Sequence, residues 1–176
     1  MPPQSNLPFE SMSTNLETIT DWLRDAYAME RGLEIALGKQ AENKSLHPAV
    51  REMAARHLAE TRQHAEAVKA CLETLGADPS IFKTGLVEAG ETVKWMSTKF
   101  AQDERVKDLL ATYAKEHFEI ACYRAIETAA REIDEHQVAE VCRRIIRDEE
   151  RMASWVRDNL PSVVVSYIQN PDAVPA

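Results

Sequence analysis

Two pairs of glutamates with the same spacing constrain the fold of this chain more than any other feature. Glu30 and Glu60 are 30 residues apart, and Glu119 and Glu149 are also 30 residues apart (60 − 30 and 149 − 119). Each lies on the apolar stripe of a strongly periodic helical segment. An isolated buried carboxylate is costly, so it becomes neutral, pairs with a cation or binds a metal. The repeated spacing therefore indicates two helical hairpins that share one cation site.

The remaining patterns indicate an all-α protein. The chain has 5 glycines and no alternating runs of Val, Ile and Thr, so little in it favours a sheet. Thr14 and Glu17 form a capping box that predicts the start of a first helix, and Pro48 suits the first turn of a second. A third helix is predicted over about 103–133, and a fourth carries the apolar stripe within 138–156.

The connections predict a ferritin-like antiparallel four-helix bundle. Residues 77–102 are too long for a hairpin turn and suit the long crossover of such folds. Pro161 predicts a bend and an additional C-terminal helix, because proline inside a helix kinks or breaks it. We expect a flexible segment over 1–13, the bundle domain over 14–169 and a flexible tail over 170–176.

Charge and composition exclude several classes of protein. The net charge of −8 argues against nucleic acid as a partner, since phosphate binding needs a basic surface. No apolar run approaches the roughly 18 residues of a membrane helix, and the first residues lack the pattern of a secretory signal. The 3 cysteines show no CxxC or Cys/His spacing, which is typical of a reducing cytosol. We therefore expect a cytoplasmic protein.

Helical spacing groups the acidic residues into a candidate metal site. Residues three or four apart share a face, so Glu60 lies with His64 and Glu116 lies with Glu119. Metal-binding bundles use one Glu from each of two helices, and a Glu with a nearby His from each of the other two. The candidate ligands are Glu30, Glu60, His64, Glu116, Glu119 and Glu149. The spacing alone favours a shared metal site about as much as it favours a coincidence.

The nitrogen ligands are less complete than the carboxylates. The fourth helix has Met152 three residues after Glu149, so its half of the site has no histidine at the usual offset. We interpret His57 as a core or boundary histidine. Glu149 is expected to face the core and Glu150 the solvent, although a small register error would exchange them. Tyr123 suits core packing or a hydrogen bond to a ligand.

Five segments carry a resemblance to a known family, namely 25–30, 57–64, 85–89, 116–123 and 148–150. They resemble the YciE/YciF-like family, a bacterial group of ferritin-like proteins associated with stress responses. The resemblance implies a ferritin-like bundle with an added terminal helix and the ligand set given above, with His64 as a further candidate. The pair Glu116 and Glu119 is also similar to the third-helix pair of rubrerythrins, which serves a di-iron centre. The histidine of the rubrerythrin fourth helix is missing.

These observations favour a di-metal carboxylate protein. We expect two divalent ions, iron first and manganese or zinc as alternatives. The expected function is an oxidoreductase of the stress response that handles iron with O2 or peroxide, in a homodimer without nucleic-acid or membrane partners. The alternatives are a non-enzymatic stress-response bundle with a structural or vestigial metal site, and an iron-storing cage.

Overall fold

The computed structural model of the protein describes residues 9–44, 46–79 and 104–169. Within these ranges the chain forms four α-helices and no strand. The helices are α1 (Phe9–Glu42), α2 (Pro48–Thr74), α3 (Glu104–Glu132) and α4 (His136–Gln169). The all-α prediction is confirmed.

The ends of α2 follow the sequence signals. His47 is the N-cap, and its Nδ1 accepts a hydrogen bond from the Ala49 backbone N–H at 3.2 Å. Pro48 occupies the first turn, where a backbone N–H has no partner within the helix, so the N–H that proline lacks costs no hydrogen bond. Gly76, just after the helix, has φ +73°, a conformation that favours glycine. The predicted start of this helix is confirmed.

The start of α1 differs from the prediction. The helix begins at Phe9, five residues before Thr14 (14 − 9), so residues 9–13 of the segment expected to be flexible are helical. The capping box at Thr14 is wrong because Thr14 lies inside the helix, where its carbonyl accepts a hydrogen bond from Thr18 Oγ1 at 2.9 Å. Residues 1–8, residues 80–102 of the predicted crossover, and the tail 170–176 lie outside the described residues.

The predicted separate C-terminal helix is part of α4, which continues through Pro161 to Gln169. Proline lacks the N–H that would bond the carbonyl four residues earlier. Two polar side chains, one on each side of the proline, donate hydrogen bonds to other carbonyls in this turn. Asn159 Nδ2 donates to the Trp155 carbonyl at 2.8 Å, and Ser162 Oγ donates to the Asn159 carbonyl at 2.7 Å. The prediction of a helix boundary at Pro161 was therefore wrong.

Two apolar clusters on either side of the buried acids show how the helices run. The larger cluster includes Leu23 of α1, Leu72 of α2, Ile126 of α3 and Ile145 of α4. The smaller consists of Met53, Leu109, Met152 and Val156. Along α2 and α3 the chain passes from the smaller cluster to the larger, and along α4 it passes the other way. The α3–α4 hairpin is therefore antiparallel. The α1–α2 hairpin is antiparallel as well, because Arg24 of α1 contacts Asp78 just after α2, whereas Glu34 further along α1 contacts Arg62 within α2.

Contacts within each hairpin are much denser than contacts between the hairpins. The helices pack closely in the pairs α1 with α2 and α3 with α4, and only sparsely in the pairs α1 with α3 and α2 with α4. The junction between the hairpins therefore depends on fewer contacts, among them those of the larger apolar cluster, which contains residues of all four helices. Across the described ranges, every helix is too polar or too short in its apolar run to traverse a bilayer.

Candidate metal centre

Six donor side chains are buried together in the middle of the bundle. They come from all four helices, and none is more than 2% exposed: Glu30, His57, His64, Glu116, Glu119 and Glu149. Acids and histidines are rarely buried so completely unless they are paired or bind a metal. The helical stripes bring them here because their neighbours along each helix belong to the two apolar clusters.

The six side chains form two overlapping groups. The first, called the His57 cluster, consists of His57, Glu116, Glu119 and Glu149. The second, called the His64 cluster, consists of His64, Glu30 and Glu149. Within each group, the candidate ligand atoms all lie within 4.8 Å of one another. Glu149 belongs to both groups, so its two oxygens can face two neighbouring ions.

Most buried polar atoms without a hydrogen-bond partner belong to this site. Among the described residues, 9 buried side-chain atoms lack such a partner, and 8 remain when Arg51 Nε is set aside (9 − 1). All 8 are oxygens or nitrogens of the two clusters, and one of them, Glu116 Oε1, lies 3.1 Å from Lys115 Nζ in an ion pair. Buried polar atoms are normally paired, so a concentrated exception needs a physical explanation. These atoms could bind a metal ion, which would accept their lone pairs.

Each histidine is held by a carboxylate on the side away from the site. His57 Nδ1 lies 3.3 Å from Glu60 Oε2, so its Nε2 faces Glu116 at 3.3 Å and Glu149 at 3.4 Å. A histidine that donates one N–H to a carboxylate presents the lone pair of its other nitrogen. The contact with Glu60 therefore makes His57 Nε2 the candidate ligand atom.

In His64 the roles of the two ring nitrogens are the reverse of those in His57. Its Nε2 lies 3.1 Å from Asp148 Oδ2, and its Nδ1 faces Glu149 at 3.1 Å and Glu30 at 3.8 Å. Burial lowers the pKa of His64 although the hydrogen bond with Asp148 opposes this effect. A neutral imidazole with Nε2–H directed at Asp148 leaves Nδ1 free to bind a cation.

Arg151 joins the two carboxylates that hold the histidines. Its Nη2 lies 3.2 Å from Glu60 Oε1, and its Nη1 lies 2.7 Å from Asp148 Oδ1. Glu60 belongs to α2 and Asp148 to α4, so the guanidinium connects the two hairpins at the rim of the site. The contacts fix both imidazole orientations from outside the buried cluster.

A tyrosine orients the carboxylate on α1. Tyr123 is completely buried, and its hydroxyl donates a hydrogen bond to Glu30 Oε1 at 2.5 Å. The other oxygen, Glu30 Oε2, has no hydrogen-bond partner. Of the two readings of Tyr123 left open by the sequence, the structure contains both, because the ring packs in the larger apolar cluster.

Burial raises the pKa of three carboxyls in the site. The pKa of Glu30 rises to about 7 and that of Glu149 to about 12, mainly because of desolvation. Desolvation also raises the pKa of Glu119 well above its ordinary value, and the nearby Glu116 adds to the rise. Protons therefore neutralise much of the acidic charge at neutral pH, and a metal ion must displace them.

Glu116 differs because a lysine is next to it. Burial is the largest influence on Glu116 and raises its pKa, but the charge of Lys115 and hydrogen bonds with His57 and Glu149 together outweigh it, and the pKa falls to about 2. Lys115 Nζ lies 3.1 Å from Glu116 Oε1. Burial disfavours the charged ammonium, yet the nearby carboxylates of Glu116 and Glu119 raise the pKa of Lys115 above its ordinary value.

The structure brings together most, but not all, of the residues predicted from the sequence. Those in the two clusters are Glu30, His64, Glu116, Glu119 and Glu149. Glu60 lies outside them, because its side chain is 37% exposed and its oxygens contact His57 and Arg151. Glu149 faces the core and Glu150 is exposed, as expected.

His57 is the residue that the sequence interpretation missed. It lies seven residues before His64 (64 − 57), which is nearly two helical turns, so both point to the same side of α2. Each cluster therefore has one imidazole, and both imidazoles come from one helix. The expectation that half of the site lacks a nitrogen ligand does not fit this arrangement.

Solved structures of three other proteins share this fold. A protein from Xanthomonas campestris pv. campestris is 31% identical, with a TM-score of 0.76 over 91% of this chain and 99% of that chain. The Escherichia coli stress protein YciF is 21% identical, with a TM-score of 0.71 over 84% of this chain and 95% of that chain. YcfI, a putative structural protein from Rhodopseudomonas palustris, is 20% identical, with a TM-score of 0.71 over 86% of this chain and 98% of that chain.

The sequence also matches a known protein family over most of its length. The family is described as a domain of unknown function (DUF892), and the match covers residues 14–169. Together with the likeness to YciF, this match confirms the YciE/YciF-like resemblance and the bundle fold. The similarity to rubrerythrins stays a prediction. The chain belongs to the DUF892 family.

Proposed function

We propose that this protein binds two divalent metal ions, iron first, and oxidises Fe(II) with peroxide or O2. One observation carries the proposal: 8 buried oxygen and nitrogen atoms without hydrogen-bond partners all belong to one group of side chains, and 7 of them remain when Glu116 Oε1, which forms an ion pair with Lys115, is set aside (8 − 1). In a purely structural core these atoms would carry a large desolvation cost. Two cations would remove that cost and would use every helix of the bundle.

The residues fit this chemistry in charge and in donor type. The His57 cluster would hold one ion and the His64 cluster the other, with Glu149 shared between them. Four carboxylates, those of Glu30, Glu116, Glu119 and Glu149, balance the charge of two divalent ions (4 × −1 against 2 × +2). Carboxylate and imidazole ligands suit iron, manganese and zinc. Iron is proposed because it also supplies redox chemistry.

The side chains of the chain would control geometry and protons in this reaction. Bound Fe(II) ions would supply one electron each, so that two of them, with two protons, reduce one hydrogen peroxide to two waters. Glu60 and Asp148 hold the histidine tautomers, and Tyr123 holds Glu30. The apolar clusters on both sides exclude water from the site.

The test is oxidation of iron by the loaded protein. Protein stripped of metal and loaded anaerobically with two Fe(II) per chain should oxidise them on addition of peroxide, faster than free iron at the same concentration. Absorbance of Fe(III) in the near ultraviolet measures the rate. Glu149→Gln should reduce this rate to that of free iron, because the change removes a charged donor from both clusters.

The matched control for this test is Glu17→Gln, an exposed acid on the first helix that lies outside both clusters. Its rate should equal that of the unchanged protein. Equal slow rates for the unchanged protein and for Glu149→Gln, with calorimetry showing no bound iron in either, would refute the proposal. A fast rate in Glu149→Gln would also refute the assignment of the site.

A second candidate function is a structural metal site in a non-enzymatic bundle. The observation that favours it is the sparse packing between the two hairpins, with candidate ligands contributed by both. Metal would then join the hairpins without redox chemistry. In this case metal should bind and raise the melting temperature, while iron oxidation should be no faster than in free solution.

A further inference from the structure

A lysine ammonium lies against the candidate metal ligands. Lys115 Nζ is 3.1 Å from Glu116 Oε1, and Glu116 is completely buried. The lysine side chain is 23% exposed, so most of its apolar stem is covered and its charged end is directed inward. The ion pair therefore forms at the edge of the His57 cluster rather than in solvent.

The charge of this lysine changes the balance of the site. Two divalent ions neutralise the four buried carboxylates by themselves, so the ammonium leaves one excess positive charge (+4 + 1 − 4). The nearby cation Arg151 does not add to this count, because its partners are Glu60 and Asp148 outside the clusters. Like charges repel strongly where solvent is excluded.

The lysine also lies closer to one cluster than to the other. Glu116 belongs to the His57 cluster and is absent from the His64 cluster. A metal ion in the His57 cluster must share Glu116 with the ammonium or displace it. The His64 cluster contains Glu30 and Glu149, and no ion pair between Lys115 and either of them is found among the described residues.

We propose that Lys115 is an internal cation that competes with metal in the His57 cluster. This inference rests on the metal binding proposed above. The ammonium substitutes for part of the metal charge when that cluster is empty and weakens binding when it fills. The two ions therefore bind with unequal affinity, and the His64 cluster fills first. Lys115 therefore lowers the metal affinity of the His57 cluster and is not itself a ligand.

The test uses Co(II), whose visible absorption reports its coordination, in a titration of the full chain stripped of metal. Lys115→Met removes the charge and keeps an unbranched apolar stem. It should tighten the weaker of the two binding events by roughly 10–100-fold, the range typical of groups just outside a metal's ligands. Lys115→Arg should keep the weak event, because it keeps the charge.

Lys69→Met is the matched control. Lys69 lies on α2 and pairs with Glu73 at 3.9 Å, with 39% of its side chain exposed. This change should leave both Co(II) affinities as they are in the unchanged protein. Lys115→Gln gives a second neutral variant with a polar end, and it should reproduce the tightening if Lys115→Met does not fold.

The outcomes separate this inference from the proposed function. Two bound Co(II) ions in the unchanged protein, with the same two affinities in the neutral variants, would overturn the role of Lys115 alone. No bound Co(II) in any variant would overturn both proposals. One bound ion in the unchanged protein and two in Lys115→Met would support competition directly. Tightening in Lys115→Arg equal to that in Lys115→Met would overturn it.

Discussion

Replacing Glu30 by Gln should stabilise the metal-free protein at neutral pH. Burial raises the pKa of Glu30 from 4.5 to about 7, so the folded state keeps a proton that the unfolded state has released. A carboxyl whose pKa is raised on folding contributes stability below its unfolded pKa and loses it as the pH rises to the folded value. The relevant window is therefore pH 4.5 to 7.

The size of the effect follows from the pKa change. At 1.36 kcal/mol per pH unit, the change from 4.5 to about 7 corresponds to a loss of about 3 kcal/mol across the window. Gln cannot ionise, yet its carbonyl can still accept the hydrogen bond from Tyr123. Glu30→Gln should therefore match the unchanged protein near pH 4.5 and exceed its stability by about 3 kcal/mol at pH 8.

Thermal unfolding followed by circular dichroism in a chelator, from pH 4.5 to 8, measures this difference. A difference of 3 kcal/mol corresponds to a melting temperature higher by about 6–12 °C in a chain of this length. Besides burial, the charge of Glu30 also raises the pKa of Glu119 and of Glu149, so the measured difference includes the repulsion that Glu30 exerts on these two acids. Glu17→Gln is the control for loss of one surface charge. The reasoning would be refuted if the difference in melting temperature between the two proteins were the same at every pH, or if Glu30→Gln were the less stable protein at pH 8.

Three further predictions concern ligand sharing, histidine orientation and the helix end. Glu149→Gln should weaken the binding of both metal ions, because Glu149 belongs to both clusters, whereas Glu119→Gln should weaken the binding of one. Calorimetric titration, which gives the number of ions bound, checks this. Asp148→Asn should weaken one metal by roughly 10–100-fold, because the amide can also donate to His64 and no longer fixes its tautomer, and Co(II) titration measures the loss. Pro161→Ala should raise the free energy of unfolding by about 2 kcal/mol. Removing proline from the helix contributes about 3 kcal/mol, and the greater freedom of the unfolded chain takes away about 1 kcal/mol. Unfolding in urea measures the difference.

The sequence predicted the bundle because apolar periodicity identifies long helices. The start of α3, predicted near residue 103, lies at Glu104, and Pro48 begins α2 as expected. The ends of α1 and α4 were less predictable. Thr14 and Pro161 carry local signals for a boundary, but in both places the helix continues past them.

The site was predicted less well on α2, because periodicity fixes a face only approximately. At about 100° per residue, Glu60 is rotated by about 60° from His57 and by about 40° from His64. That rotation moves Glu60 to the edge of the buried face, where it contacts His57 from outside. The two histidines, seven residues apart, mark the centre of the face. Their common side was readable in the sequence, but which residue type occupied its centre depended on packing.

The uneven packing of the two hairpins also predicts the order in which the protein folds. Each hairpin of close sequence neighbours can form quickly, because local contacts require little loop closure. Docking of one hairpin on the other comes later, and it is the step that brings Glu30 of α1 together with Glu119 and Glu149 of the other hairpin. Glu119 and Glu149 already meet when the α3–α4 hairpin forms, so docking adds only their repulsion with Glu30. Added protons or divalent cations should therefore accelerate both formation of the α3–α4 hairpin and docking, and should leave formation of the α1–α2 hairpin unchanged.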